Sequence, residues 1–238
     1  MTIGPLKTDV FARARDILAR KLHEMDLEYR VDVDFRDIVQ SIEKAGKHVT
    51  EHFQFEHFEF NRENGFCLTL LHEGKPVVFY CSQVFETGDM SFLEHHRNKL
   101  TRLYRSVGQD LLDETWSCRP MQEIRGRVCY SGEALTAEEF RSTGKSRRAL
   151  AHGAQMALFL SMMSWAPDWS VGLARDKHVR LGLGYIYGAC RQYPLATIWH
   201  DPAPGRQQDD AFLVSSREDA LYLAECVSRA SRLLEASD

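Results

Sequence analysis

The stretch of this chain best equipped for chemistry is Arg141-Ser142-Thr143-Gly144-Lys145-Ser146, followed directly by Arg147 and Arg148. A strand-like segment runs into a short loop here, and a glycine-bearing turn opens a helix. The first N–H groups of a helix have no partner within it and sit at the positive end of its dipole. Gly144 lets the backbone approach a ligand closely, and Lys145, Arg147 and Arg148 add positive charge. Together these parts suit a diphosphate. Without the glycine turn the same cations would read as a solvated helix face. Gly144-Lys145-Ser146 is not a nucleotide P-loop. That motif needs a glycine five residues before its second one, where this chain has Glu139, a carboxylate that would repel a triphosphate.

A second cluster loses on inspection. His48-Val49-Thr50-Glu51-His52 matches a His-x-x-Glu-His metallopeptidase pattern, on a helix expected over residues 37–52. Two histidines leave a zinc site incomplete and no clear third ligand follows, so no metal is expected. His95 and His96 are adjacent and point apart on a helix. Phe53, Phe55, Phe58, Phe60 and Phe66, like Trp165 and Trp169, are read as core.

The elements that must position the turn follow from periodicity. Helical spacing is found over 8–25 and 37–52, over 89–112 behind an Asp89 cap, and over 145–165 and 177–188. A last helix, 217–234, is opened by Ser215 or Ser216 with acids three residues on. Strands are expected at 29–35, 66–71, 76–85, 127–136, 168–174, 193–199 and 211–215, with a loop over 201–208. The alternation implies an α/β or α+β domain on one central sheet.

Bulk properties exclude several classes. The chain has 238 residues, 44% hydrophobic and 27% charged, enough for one large domain. A net charge of −4 supplies no basic field for nucleic acid. Six cysteines, at 67, 81, 118, 129, 190 and 226, carry no CxxC spacing, which implies reduced thiols in a cytoplasm. The N-terminal segment mixes charge through its apolar residues, unlike a signal peptide. Residues 149–166 are uncharged, but they are short for a span and contain His152, Gly153 and Gln155, so a membrane protein is excluded.

The turn resembles the signature of the GNAT superfamily of N-acyltransferases, Gln/Arg-x-x-Gly-x-Gly/Ala at a strand-to-helix turn. Arg141 and Gly144 match, while Ser146 stands where the family has Gly or Ala. The acid that family members carry eight residues before the signature falls on Glu133. The later elements follow in the family's order over about residues 128–200. The resemblance implies a mixed, mainly antiparallel central sheet flanked by helices, in a single domain over 1–238. Within it, residues 26–88 form the N-terminal half of the sheet, 128–200 the acyl-CoA-binding core, and 89–127 a helical insertion between the third and fourth strands, where it would cover the acceptor site.

It further implies an acyl-CoA substrate, acetyl-CoA or another, whose pantetheine arm lies between the strands at 128–136 and 168–174. Leu135, Thr136 and Arg141 to Ser146, which includes Ser142, Thr143 and Lys145, are its expected contacts, with a backbone N–H near Leu135 polarising the thioester carbonyl. Glu133 is the expected base, direct or through water. The family's proton-donating tyrosine would fall on Gly184, so Tyr187 and Tyr185, both out of step, are the candidates. Asp176 stands where many relatives have Asn. The acceptor is then an amine of a small molecule or protein, and a homodimer is compatible with this reading. The alternative is a non-catalytic member that binds CoA or a partner protein as a regulator.

Overall fold

The computed structural model describes residues 5–105, 117–197 and 210–235. Helix α1 (Pro5–His23) leads to strand β1 (Leu27–Asp32), α2 (Phe35–Lys44), a 3-10 turn (Glu51–Phe53), β2 (Gly65–His72) and β3 (Lys75–Glu86). Next come α3 (Phe92–Arg105), α4 (Arg119–Glu123), β4 (Arg127–Thr136), α5 (Glu138–Arg141), α6 (Ser146–Trp165) and β5 (Trp169–Arg175). The chain continues through α7 (Asp176–Arg180), α8 (Leu183–Ile186), β6 (Arg191–Tyr193), β7 (Asp210–Ser216) and α9 (Arg217–Glu235).

The strands form one sheet in the order β1-β2-β3-β4-β5-β7-β6. Every neighbouring pair is antiparallel except β4 with β5. Apolar side chains on the two faces build two cores. Phe11, Leu18 and Leu22 of α1 meet Phe159 and Met162 of α6 and Ala220 and Ala224 of α9 on one face. Ile38 and Ile42 of α2, Phe92 of α3 and Met121 of α4 pack with Phe53, Tyr130 and Phe212 on the other. The result is the expected mixed, mainly antiparallel sheet between helical layers, with α3 and α4 inserted before the fourth strand.

Several expectations are corrected. The helix expected over 37–52 stops at Lys44, because Ala45 and Gly46 bond back to Ser41 and Glu43 carbonyls and Gly46 takes φ +87°. The apolar step to Val49 that suggested continuation is made by a loop residue that packs into the same core. The helix expected over 177–188 is broken into α7 and α8 by Gly182 at φ +81°. Helix α4 went unforeseen, being little more than one turn. The strand expected over 193–199 is instead β6, Arg191–Tyr193, with residues 194–197 not in a strand, while the end of the helix expected over 89–112 and the loop over 201–208 lie outside the described residues. The capping signal at Ser216 is found as read: Ser216 N–H donates to Asp219 Oδ2 at 2.8 Å, and Asp219 N–H returns to Ser216 Oγ at 3.1 Å.

The parallel pair is clamped at one end and open at the other. At its start, Asp168 N–H donates to Arg127 O at 2.7 Å, and Arg127 N–H donates to Asp168 Oδ2 at 3.0 Å. Arg217 seals the joint from α9, donating to Pro167 O at 3.0 Å and to Asp168 Oδ1 at 2.8 Å. Pairing then lasts only for Val128–Trp169, Cys129–Ser170 and Tyr130–Val171. The next residue on β5 is Gly172, where a Cβ would lie 2.8 Å from Ser131 O. The strands are therefore at closest approach where they part.

That contact makes a stability prediction. Gly172→Ala pushes a side chain into a backbone carbonyl that cannot swing away, and should cost about 1–3 kcal/mol. Gly144→Ala meets nothing within 4 Å and should stay within about 0.5 kcal/mol of the parent. Urea denaturation of both variants tests the contrast; equal stability would show that the strands are free to move apart at Gly172.

Candidate functional site

Beyond Tyr130 and Val171 the facing edges of β4 and β5 diverge, and a cleft of about 830 Å³ opens between them. That size suits a bound small molecule. One wall is β4 from Ser131 to Thr136, the other β5 from Gly172 to Arg175. Helix α6 forms the floor through Leu150, Ala154 and Leu158, and the Gly46–Glu51 loop stands at the mouth. The walls carry backbone groups unclaimed by the sheet, so the cleft offers an extended ligand the edges of a missing strand.

Strand β4 is bulged where it turns from β5. Phe79 faces Leu135 and Cys81 faces Gly132, so Glu133 and Ala134 together oppose Tyr80. Glu133 takes φ +55°, a left-handed conformation uncommon for a non-glycine residue. The bulge drives its carboxylate into the protein, where the residue is 4% exposed. Oε1 accepts Thr50 N–H at 3.0 Å and the Thr50 hydroxyl, and Oε2 pairs with Lys47 Nζ at 2.7 Å. A buried carboxylate needs such partners. Glu133 thereby ties the central strand to the loop at the cleft mouth.

The bulge also re-aims the backbone amides. Ala137 N–H donates to Val77 O at 2.8 Å, in the same register that pairs Leu135 with Phe79. Alternation along an antiparallel ladder turns the N–H groups of Leu135 and Ala137 to β3 and that of Thr136 toward the cleft. The expectation of a free N–H near Leu135 is therefore refined to its neighbour Thr136, while the Leu135 side chain is buried.

At the floor's end lies the Arg141–Ser146 turn. Arg141 Nε donates to Thr136 O at 2.8 Å, which holds its guanidinium across the end of β4 and in the cleft wall. Thr143 Oγ1 donates to Phe140 O at 2.7 Å and Ser146 Oγ to Arg141 O at 3.1 Å, so Ser142, Thr143 and Ser146 sit in a closed turn. Helix α6 begins its backbone ladder with Ala149 N–H to Lys145 O at 2.9 Å, and the Lys145 side chain does not cap it. The amides of Arg147 and Arg148 have no backbone partner among the described residues. Gly144 has open space beside it and no positive φ, so its use is room rather than conformation.

The cations of this segment are less committed to an anion than the sequence suggested. Lys145 reaches away from the turn to Asp26 Oδ2 at 2.8 Å and Met25 O at 3.1 Å. Its ammonium holds the Asp26 carboxyl below the usual carboxylate range. Arg147 donates to Leu181 O at 3.3 Å.

The two tyrosines separate. Tyr187 lines the cleft, edge-on to Tyr80 at 6.0 Å between ring centroids, and burial pushes its hydroxyl up to about 12. That hydroxyl is therefore protonated at neutral pH. Tyr185 is 81% exposed and outside the cleft lining, so its candidacy is withdrawn. At Gly184 a Cβ would lie 2.4 Å from Gln192 Oε1, so a side chain there would first have to displace the exposed Gln192 side chain. The histidine pair separates too: His48 is exposed while His52 is buried against Tyr130. Among the described residues no group of three or more His, Cys, Asp or Glu is placed to hold a metal ion.

Sequence reasoning missed Lys47, Thr50 and Gly172. The first two were assigned to a helix that the chain does not form. Gly172 carried a signal, since a lone glycine in a strand marks close backbone approach.

The gap between β4 and β5 and the helix head that follows β4 are what the GNAT resemblance implies. No family model and no curated protein matches the chain. Solved structures of similar fold include FeeM, an N-acyl amino acid synthase from uncultured soil microbes, at 10% identity and a TM-score of 0.46 over 82% of this chain and 92% of that one. Another is AAC(6')-Ib with paromomycin and acetyl-CoA, at 12% identity and a TM-score of 0.44 over 82% and 95%. A third is the ribosomal-protein-S18-alanine N-acetyltransferase from Escherichia coli, at 11% identity and a TM-score of 0.40 over 79% and 94%.

The Glu133 anchorage makes a prediction. Lys47→Met leaves a buried carboxylate short of its counter-ion. It should cost about 1–3 kcal/mol, less than for a fully buried pair because Lys47 is 30% exposed. Adding Glu133→Gln should restore part of that loss, and a denaturation cycle measures the coupling. Simple additivity would mean that the pair does not hold the loop.

Proposed function

We propose that this protein is an acyl-CoA-dependent N-acyltransferase that moves an acyl group to an amine directly. The observation that carries the reading is the cleft between β4 and β5, with Thr136 and Arg141 in its lining and Arg141 the one residue of the 141–146 turn that lines it. In this reading the pantetheine amides bond to the strand edges and the pyrophosphate meets the amides at the helix head, beside Arg141. The thioester lies toward the bulge, while Thr136 N–H, in the residue whose carbonyl is held by Arg141, bonds the pantetheine arm near its pyrophosphate end.

The acceptor amine enters past Gly46–Glu51, and attack requires it to lose a proton. Glu133 is our candidate base, in relay. Thr50 lines the cleft and its hydroxyl already donates to Glu133, so it can receive a proton from the amine while passing its own to the carboxylate. The departing thiolate takes a proton from Tyr187, whose hydroxyl is neutral at working pH. The α3–α4 insertion, expected over the acceptor site, contributes no described residue to the cleft lining.

Binding and turnover are tested separately. Acetyl-CoA should raise the melting temperature, by the equivalent of about 2.7 kcal/mol at a hundred times its Kd, whereas ATP with magnesium should not. Gly144→Glu places a carboxylate in open space where the anion must come, and should abolish that shift while the unliganded melt is unchanged. Arg141→Ala should weaken binding about ten- to a hundredfold, and Lys145→Ala, whose ammonium is engaged with Asp26, much less. Thiol release with a panel of amines then reads catalysis. Tyr187→Phe should lower kcat by about ten- to a hundredfold with KM little changed, and Thr50→Val should match Glu133→Gln. Binding without any thiol release would favour the regulator; undiminished binding by Gly144→Glu would remove the anion site and the acyltransferase with it.

A further inference from the structure

A second cavity, of about 450 Å³, lies between the segment before β2, the end of β3 and helix α3. None of its lining residues lines the β4–β5 cleft. Phe58, Phe60 and Phe85 give it apolar walls, and Lys99, Arg102 and His95 of α3 give it one polar side. Lys99 Nζ stands 4.3 Å from the centroid of Phe58 and 5.5 Å from that of Phe85, and it donates to Gln83 Oε1 at 3.2 Å. Gln83 is fixed by its own bond from Nε2 to His52 O at 2.7 Å, so its carbonyl oxygen faces the ammonium. Ring faces and one neutral carbonyl are poor compensation for a desolvated cation. Among the described residues neither Lys99 nor Arg102 has a carboxylate within ion-pair distance.

We propose that this cavity is a second small-molecule site that takes an aromatic carboxylate, its ring among the phenylalanines and its anion between Lys99 and Arg102. Size, shape and charge all point to that class: flat apolar walls for a ring, and on one side an arginine and a lysine with no carboxylate at ion-pair distance among the described residues. His95 lies flat on Phe85 at 4.4 Å, and burial with the nearby Lys99 and Arg102 charges holds it down to about 4, so it stays neutral. The Lys99 ammonium is itself pushed down to about 7, by burial first and Arg102 next, while Glu51 from the 3-10 turn opposes the shift. Glu59 is the one acid in the lining and is exposed. A carboxylate beside Lys99 favours its charged form, so binding near neutral pH should take up part of a proton.

The inference stands apart from the acyltransferase reading, and its test uses the full chain without acyl-CoA. Calorimetric titration with 3-phenylpropionate at about pH 7.5, in two buffers of different ionisation enthalpy, reads affinity and proton uptake together. The expected result is one saturable site with fractional proton uptake, and binding of 3-phenylpropylamine at least about tenfold weaker. Lys99→Met and Arg102→Met should each weaken the acid about tenfold or more, with circular dichroism melts like the parent's. Arg102 stands at the exposed rim, so its variant remains decisive if the other fails to fold. No binding up to about 10 mM, equal binding of the amine, or full affinity in a folded variant would overturn the proposal. So would displacement of the acid by acetyl-CoA.

Discussion

Everything about the site depends on how β4 and β5 are joined. Parallel neighbours ordinarily keep their spacing along the whole strand, because each hydrogen bond holds the next in register. Here three residue pairs are held and the rest are released. Asp168 locks the start, bonded to the backbone of one strand and to an arginine at the head of α9. Past Tyr130, the Glu133–Ala134 bulge bends β4 while β5 keeps full pairing with β7 through Arg175. One strand must turn and the other cannot follow. The cleft follows from that mismatch, so its walls are as stable as the sheet itself.

The bulge creates a second dependency. A left-handed backbone at a glutamate is strained, and such conformations persist when the surroundings over-determine them. Lys47 and Thr50 do so, converging on the Glu133 carboxylate from a loop that has little secondary structure of its own. The ion pair thus holds the bulge and the cleft mouth in one relation. A carboxylate engaged in this way cannot also swing out to an incoming amine, which is why we route the proton through the Thr50 hydroxyl.

The sheet was readable because β1 alternates apolar and polar residues, β2 and β7 are short buried apolar runs, and helices such as α1 carry apolar residues at three- and four-residue steps. Strand β4, helix α6 and the turn between them were placed within a residue, and Arg141 and Glu133 were named from the family resemblance. The failures have physical causes. Residues 45–53 carry helical spacing at Val49 and Phe53, but these side chains reach the core from a loop, and period alone cannot tell the two apart. The Gly46 stop signal was outweighed. Tyr185 and Tyr187 differ by two positions on a short helix, so one had to face the cleft and the other solvent, and the break at Gly182 decides which. Lys47 and Thr50 act through a contact more than eighty residues distant in sequence, which no local pattern encodes.

On our proposal, the Arg141–Ser146 turn would hold an anion for a different reason than its composition suggests. Lys145, Arg147 and Arg148 made the segment look like a cationic patch, yet Lys145 is spent on Asp26 and Arg147 on Leu181. What faces the open space is backbone: the head of α6, with Gly144 clearing the approach and Arg141 pinned beside it by the Thr136 carbonyl. Fixed amides keep their direction where a lysine ammonium wanders, and they need no counter-ion in the empty state. Ser146, the one departure from the family's small residue, folds its hydroxyl onto Arg141 O and adds nothing that protrudes. On our proposal a diphosphate here would be held by amides and recognised by shape, so the turn's geometry, rather than its count of positive charges, is what a substitution must preserve.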